Sequence, residues 1–108
     1  MAENMKTISV RRTNTFTEDR TFTFPVYTEY WCDTSTVYVQ TNADLSTVEI
    51  TIQELTISDS GSTVPERGEI KFSNGTGWLP HDAVREIKRE AFAAALARLR
   101  AMLEKAGT

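Results

Sequence analysis

The 108-residue chain contains one cysteine, Cys32, and one histidine, His81. A single thiol permits no internal disulfide, and one thiol with one imidazole falls short of a four-ligand zinc site. No apolar run approaches the roughly 20 residues a membrane span requires, and the first residues hold no apolar signal-peptide core. Internal repeats and low-complexity tracts are absent as well. These absences lead to the expectation of a soluble, cytoplasmic protein without membrane association, folded as a single domain over residues 1–108. A chain of this length buries roughly 65% of its unfolded surface, enough to fold on one core without staples.

Catalytic groups are equally scarce. Cys32 and His81 could act together as thiolate and base, oriented by Asp33 or Asp82, only if folding brought them together. An isolated cysteine is commonly a packing residue, so the reading assigns no catalytic residue, metal ligand or cofactor and expects no enzyme. Gly75-Thr76-Gly77 lacks both the third glycine of a dinucleotide fingerprint and the Gly-Lys-Ser/Thr end of a phosphate loop. It reads as a hairpin turn.

What the chain has in quantity is threonine, 16 residues, set among Val, Ile and aromatics in short alternating segments. Such residues suit a pleated, half-buried surface. Residues 6–16 alternate Ile8 and Val10 with polar neighbours, and residues 17–20 look like a hairpin break. Residues 21–27 place Phe22, Phe24 and Val26 on one face, with Pro25 demanding an edge or a bulge. Residues 36–41 carry Val37 and Val39; residues 42–46 turn the chain. In residues 47–57 Val48, Ile50 and Ile52 point inward before the parity flips near Gln53 or Glu54, which predicts a bulge or sharp bend. Residues 58–67 form the longest loop, and residues 68–73 give a last strand with Ile70 and Phe72 inward.

Past Asp82 the composition changes to Ala, Leu, Arg and Glu, without Gly or Pro as far as Lys105. Val84, Ile87, Ala91, Phe92, Ala95, Leu96, Leu99, Met102, Leu103 and Ala106 form one stripe on a helical wheel. Pro80 suits a first helical position, and Lys105 with Gly107 suits the end. The expected architecture is α+β: an antiparallel sheet of four or five strands over residues 6–73, with one long helix over about 81–105 packed on one face. The threonine-rich face is left on the other side.

Charge is placed unevenly. Between residues 21 and 66 there is no Lys or Arg, yet Glu29, Asp33, Asp44, Glu49, Glu54, Asp59 and Glu66 lie there. Residues 1–20 and 82–108 are net positive although the whole chain carries −3. Gathered on one surface, those acids would create a field that attracts a basic partner over a distance of about 8 Å at physiological salt. The arginines of the helix are interleaved with Glu86, Glu90 and Glu104, which disfavours direct nucleic-acid binding.

Tyr30, Trp31 and Tyr38 add aromatic groups of the kind found at interface anchors. Tyr30 and Trp31 are adjacent, so on a regular strand only one of them can point inward. The leading expectation is a protein-binding module that contacts a basic, nucleic-acid-binding surface of its target. Its contact residues are Glu29, Tyr30, Trp31, Asp33, Tyr38, Asp44, Glu49, Glu54 and Asp59. In format such a chain resembles the stoichiometric inhibitors encoded by phages and mobile elements, anti-CRISPR proteins among them; the resemblance rests on size and charge asymmetry and transfers no residues. The second expectation is a structural or assembly subunit that forms a homo-oligomer through its sheet.

Overall fold

The computed structural model describes residues 5–106 apart from 14, 15, 33, 55, 58, 59 and 82. Among them the strands are β1 (Met5–Thr13), β2 (Phe16–Thr23), β3 (Val26–Cys32), β4 (Ser35–Thr41) and β5 (Ser46–Gln53). They are followed by β6 (Thr56–Ile57), β7 (Thr63–Val64), β8 (Arg67–Asn74) and β9 (Arg85–Glu86), and the helix α1 covers Arg89–Ala106. Five strands form an antiparallel sheet in the order β8-β5-β4-β3-β9. β1 pairs with β2 and β6 with β7 in two separate hairpins. The fold is α+β, with α1 packed on the sheet.

Side-chain alternation explains how one sheet serves two cores. Residues opposed across an antiparallel pair share a face, so Tyr27, Glu29, Trp31, Tyr38, Val48, Ile50 and Ile52 lie on one side. There Ile50 and Ile52 are buried with Phe92, Ala95 and Leu99 of α1, and the rings of Tyr27 and Phe92 meet at 5.3 Å. On the opposite side Val26 is buried with Phe22, Phe24 and Leu79. This is the threonine-rich face, and it is not bare. Thr28, Thr41 and Thr47 are all buried on it, and the Thr28 hydroxyl donates 2.7 Å to the Trp78 carbonyl.

Several boundaries differ from the sequence expectation, each for a tertiary reason. Residues 17–20 are not a break: Thr17 to Arg20 lie within β2, opposite Arg11, Val10, Ser9 and Ile8 of β1, and Thr13 pairs with Phe16. The polar pattern reflects a two-stranded ribbon rather than a turn. The strand expected over residues 21–27 is two, β2 ending at Thr23 and β3 beginning at Val26, and the Phe24–Pro25 peptide between them is cis. At Gln53 β5 simply ends, and the Glu54 amide donates to the Thr34 carbonyl at 3.0 Å, so the parity change marks departure from the sheet. After Asn74 the chain does not fold back on β8. The Gly75 amide donates to the Leu45 carbonyl, and the chain crosses the sheet through Trp78 and Leu79 to reach its far edge.

The helix is shorter than expected at its start. The expected helix over about 81–105 begins only at Arg89, because Arg85 and Glu86 pair with Glu29 and Thr28 of β3 as an edge strand. Pro80 therefore lies in the crossing segment and holds no first helical position. The Ile87 amide then donates to the Tyr27 carbonyl, and the Lys88 carbonyl accepts the first helical bonds from Ala91 and Phe92. Backbone partners along the edge of β3 outweigh the local helix preference of two charged residues. On β8, Ile70 and Phe72 share the α1 face but are not buried there: they are 41% and 72% exposed.

Candidate functional site

The end of β3 carries the most unusual surface group. Pleating turns Tyr30 and Trp31 to opposite faces. Tyr30 is half-buried with its ring 6.0 Å from that of Trp78, whereas Trp31 is 67% exposed. Two residues before Trp31 on the same face stands Glu29, almost fully buried. β9 then supplies Arg85 directly opposite Glu29. One guanidinium serves both neighbours: it donates to and ion-pairs with the Glu29 carboxylate, and its carbon lies 5.0 Å from the centre of the Trp31 ring.

This arrangement is consistent electrostatically. A carboxylate removed from water must be paired, and Arg85 provides the counter-charge while keeping much of its own guanidinium in solvent. A cation over an indole face is attracted to the ring by about 0.5–1 kcal/mol at exposed sites. At that energy the contact favours the indole orientation over Arg85 by a few-fold. Glu29, Trp31, Ala83 and Arg85 border a shallow cavity of about 190 Å³.

Among the described residues, Asp44, Glu49 and Glu54 do not join this corner, and Tyr38 stands across from Glu29 on β4. Its half-buried ring packs against the α1 core. Glu49 lies on the opposite face of the sheet from Glu29, half-buried and across from Lys71 of β8. Asp44 sits in the β4–β5 turn, where it accepts from the Ser46 hydroxyl at 2.6 Å and the Ser46 amide at 2.9 Å. Those bonds, the hydroxyl first, hold its carboxyl below the ordinary carboxylate range. Asp33 and Asp59 fall outside the described residues.

Nor do the acids among the described residues form one uncompensated field. Arg98 of α1 grips both carboxylate oxygens of Glu54, at 3.1 and 2.9 Å, and reaches Glu66 at 2.6 Å. Together with Glu29, three of the acids between residues 21 and 66 are thus paired with arginines from the C-terminal quarter. The charge that is segregated along the chain is partly recombined in space.

Cys32 is exposed at the end of β3, and His81 accepts the Ala83 amide on Nδ1 at 3.2 Å to brace the turn before Val84. No hydrogen bond joins them among the described residues. No group of three or more His, Cys, Asp or Glu side chains gathers there as a metal site either, and no helix of the described residues is long and apolar enough to cross a membrane. Arg85 is the member of the corner that the sequence does not reveal, since its position falls in the expected helix over about 81–105 whereas it lies on β9. The available signal was Val84 and Ile87, β-branched residues flanking it where the later helix uses Ala and Leu.

No protein-family model, curated protein or solved structure matches the chain.

Proposed function

We propose that the protein is a non-enzymatic binding module that recognises a protein partner through the corner formed by Trp31, Arg85 and Glu29. The observation that carries this reading is an exposed indole with a guanidinium carbon 5.0 Å from its ring centre. Trp and Arg supply a disproportionate share of interface energy, and an aromatic ring ordered beforehand loses little freedom on binding. The neighbouring cavity gives a partner side chain somewhere to insert. Acting by occupancy rather than turnover, such a module would serve as a stoichiometric inhibitor or regulator, the anti-CRISPR type included.

The internal pairing of Glu29, Glu54 and Glu66 shifts the emphasis away from an acidic field and towards the aromatic anchor. Affinity capture from the native host with the natural protein and with Trp31→Ala tests this, because the exposed ring can be truncated without opening the core. Loss of the captured partner with an unchanged far-ultraviolet circular dichroism spectrum is the expected result. Equal capture by both proteins would overturn the Trp31 contact. A salt titration of the same complex separates the two modes: an anchor-centred contact keeps most of its affinity at high salt, whereas one steered by carboxylates weakens steeply.

A further inference from the structure

β8 is the long free edge of the five-stranded sheet; at the other edge β9 has only two residues. Its eight residues, Arg67-Gly-Glu-Ile-Lys-Phe-Ser-Asn74, pair with β5 on one side. Among the described residues no segment hydrogen-bonds to the other side. A free edge of this length presents unpaired N–H and C=O groups that another strand can satisfy. Natural edges are commonly guarded by charge, and here the guards are Glu69 and Lys71, two residues apart on one face. That spacing has a particular consequence for a second copy of the same strand.

Along an edge strand, alternate residues direct their backbone groups outward. In a symmetric antiparallel pair only residues of like parity can therefore face one another, and the two copies keep their helices on the same side of one continuous sheet. Centring the pair on Ile70 engages residues 67–73, nearly the whole strand. Each Glu69 then faces the partner's Lys71, twice over by symmetry. Ile70 faces the partner's Ile70, and Gly68, which has no side chain, faces the partner's Phe72. Moving the centre by one residue either way sets a residue of like parity in the wrong company: centred on Glu69 the two carboxylates face each other, and centred on Lys71 the two ammonium groups do. Centres further out engage fewer residues.

We propose that this protein forms a two-fold dimer through β8, in the register centred on Ile70, giving a ten-stranded sheet. The exposed Phe72 fits this assembly, since it lands beside a bare glycine backbone beneath the helical turns that carry Leu99 and Met102. The exposed Leu103 lies in the same last turns of α1. The proposal concerns the edge opposite the Trp31 corner and does not depend on the function proposed above.

Sedimentation velocity over a concentration series, with charge-swapped variants, decides it. The natural protein is expected to show a concentration-dependent dimer. E69K alone and K71E alone each replace both attractive cross-strand pairs with repulsive ones and should weaken the dimer about tenfold. The double variant E69K/K71E restores opposite charges and should recover the dimer. An equimolar mixture of the two single variants should form a heterodimer. Glu69 and Lys71 are exposed, so circular dichroism should be unchanged throughout, although K71E also sets a carboxylate opposite Glu49 of β5 and should lower protomer stability slightly; Trp31→Ala should leave the dimer intact. A natural protein that stays monomeric at sub-millimolar concentration, or a dimer indifferent to the single swaps, would overturn the proposal.

Discussion

Gly68 of β8 lies so close beneath Leu99 of α1 that a Cβ added to the glycine would sit 2.6 Å from the leucine Cδ1. The same atom would sit 2.9 Å from the Met102 sulfur. The helix approaches the sheet closely at this point because one strand residue has no side chain there. Leu99 is buried among Ile50, Ile52, Phe92 and Ala95, so it cannot move aside freely, whereas the half-buried Met102 can adjust.

Gly68→Ala should therefore destabilise the fold by overpacking, by about 1–3 kcal/mol. Chemical denaturation measures it. Trimming Leu99 in the same protein should return part of the loss, even though Leu99→Ala alone should cost about 2–5 kcal/mol as a cavity. Additive losses in the double variant would show that the two positions do not press on each other.

The Arg98 network sets a pH dependence. Its hydrogen bonds hold the Glu54 carboxyl below the ordinary value of 4.5, and Glu54 and Glu66 together raise the guanidinium pKa further. A carboxyl whose folded pKa is depressed stabilises the fold fully above its unfolded pKa and ceases to do so as pH falls through the folded one. Arg98→Ala should thus lower stability near neutral pH by less than about 1 kcal/mol, since all three groups are substantially exposed. Urea denaturation at about pH 7 and about pH 3 should show that deficit shrinking in acid; a deficit equal at both would exclude the ion pairs as its source.

Three buried threonines on one face should respond differently to loss of the hydroxyl. Thr28→Val removes the bond to the Trp78 carbonyl and should cost about 1–3 kcal/mol, loosening the segment that leads to β9. Thr41 and Thr47 face each other across β4 and β5, and their buried hydroxyls find no partner among the described residues. Thr41→Val and Thr47→Val should accordingly be neutral or stabilising, because each removes a buried polar atom while keeping the shape. Thermal denaturation of the three variants distinguishes these outcomes; a uniform loss would mean that the hydroxyls at 41 and 47 are satisfied.

Much of the sheet was legible because its residues alternate. Val48, Ile50 and Ile52 have the right parity, and the Ala- and Leu-rich tail is a helix wherever nothing competes with it. Arg85 and Glu86 escaped this reasoning. A short edge strand has no period to detect, and its existence depends on a β3 backbone more than fifty residues away in sequence. The same distance hid the candidate site. The sequence offers Trp31, Glu29 and Tyr38 as contact residues, but it places the arginine that touches the first two on a helix, and it does not show that Tyr38 packs half-buried against the α1 core.

The amino-acid sequence by itself determined the α+β class, the three strands β4, β5 and β8 of the main sheet and the amphipathic helix from Arg89 onward, since binary patterning acts locally on backbone geometry. Only the tertiary structure decided where the charges went. Acids and bases that occupy separate stretches of chain meet as Glu29 with Arg85 and as Glu54 and Glu66 with Arg98. Coulombic attraction depends on distance in space, and folding sets that distance without regard to separation along the chain.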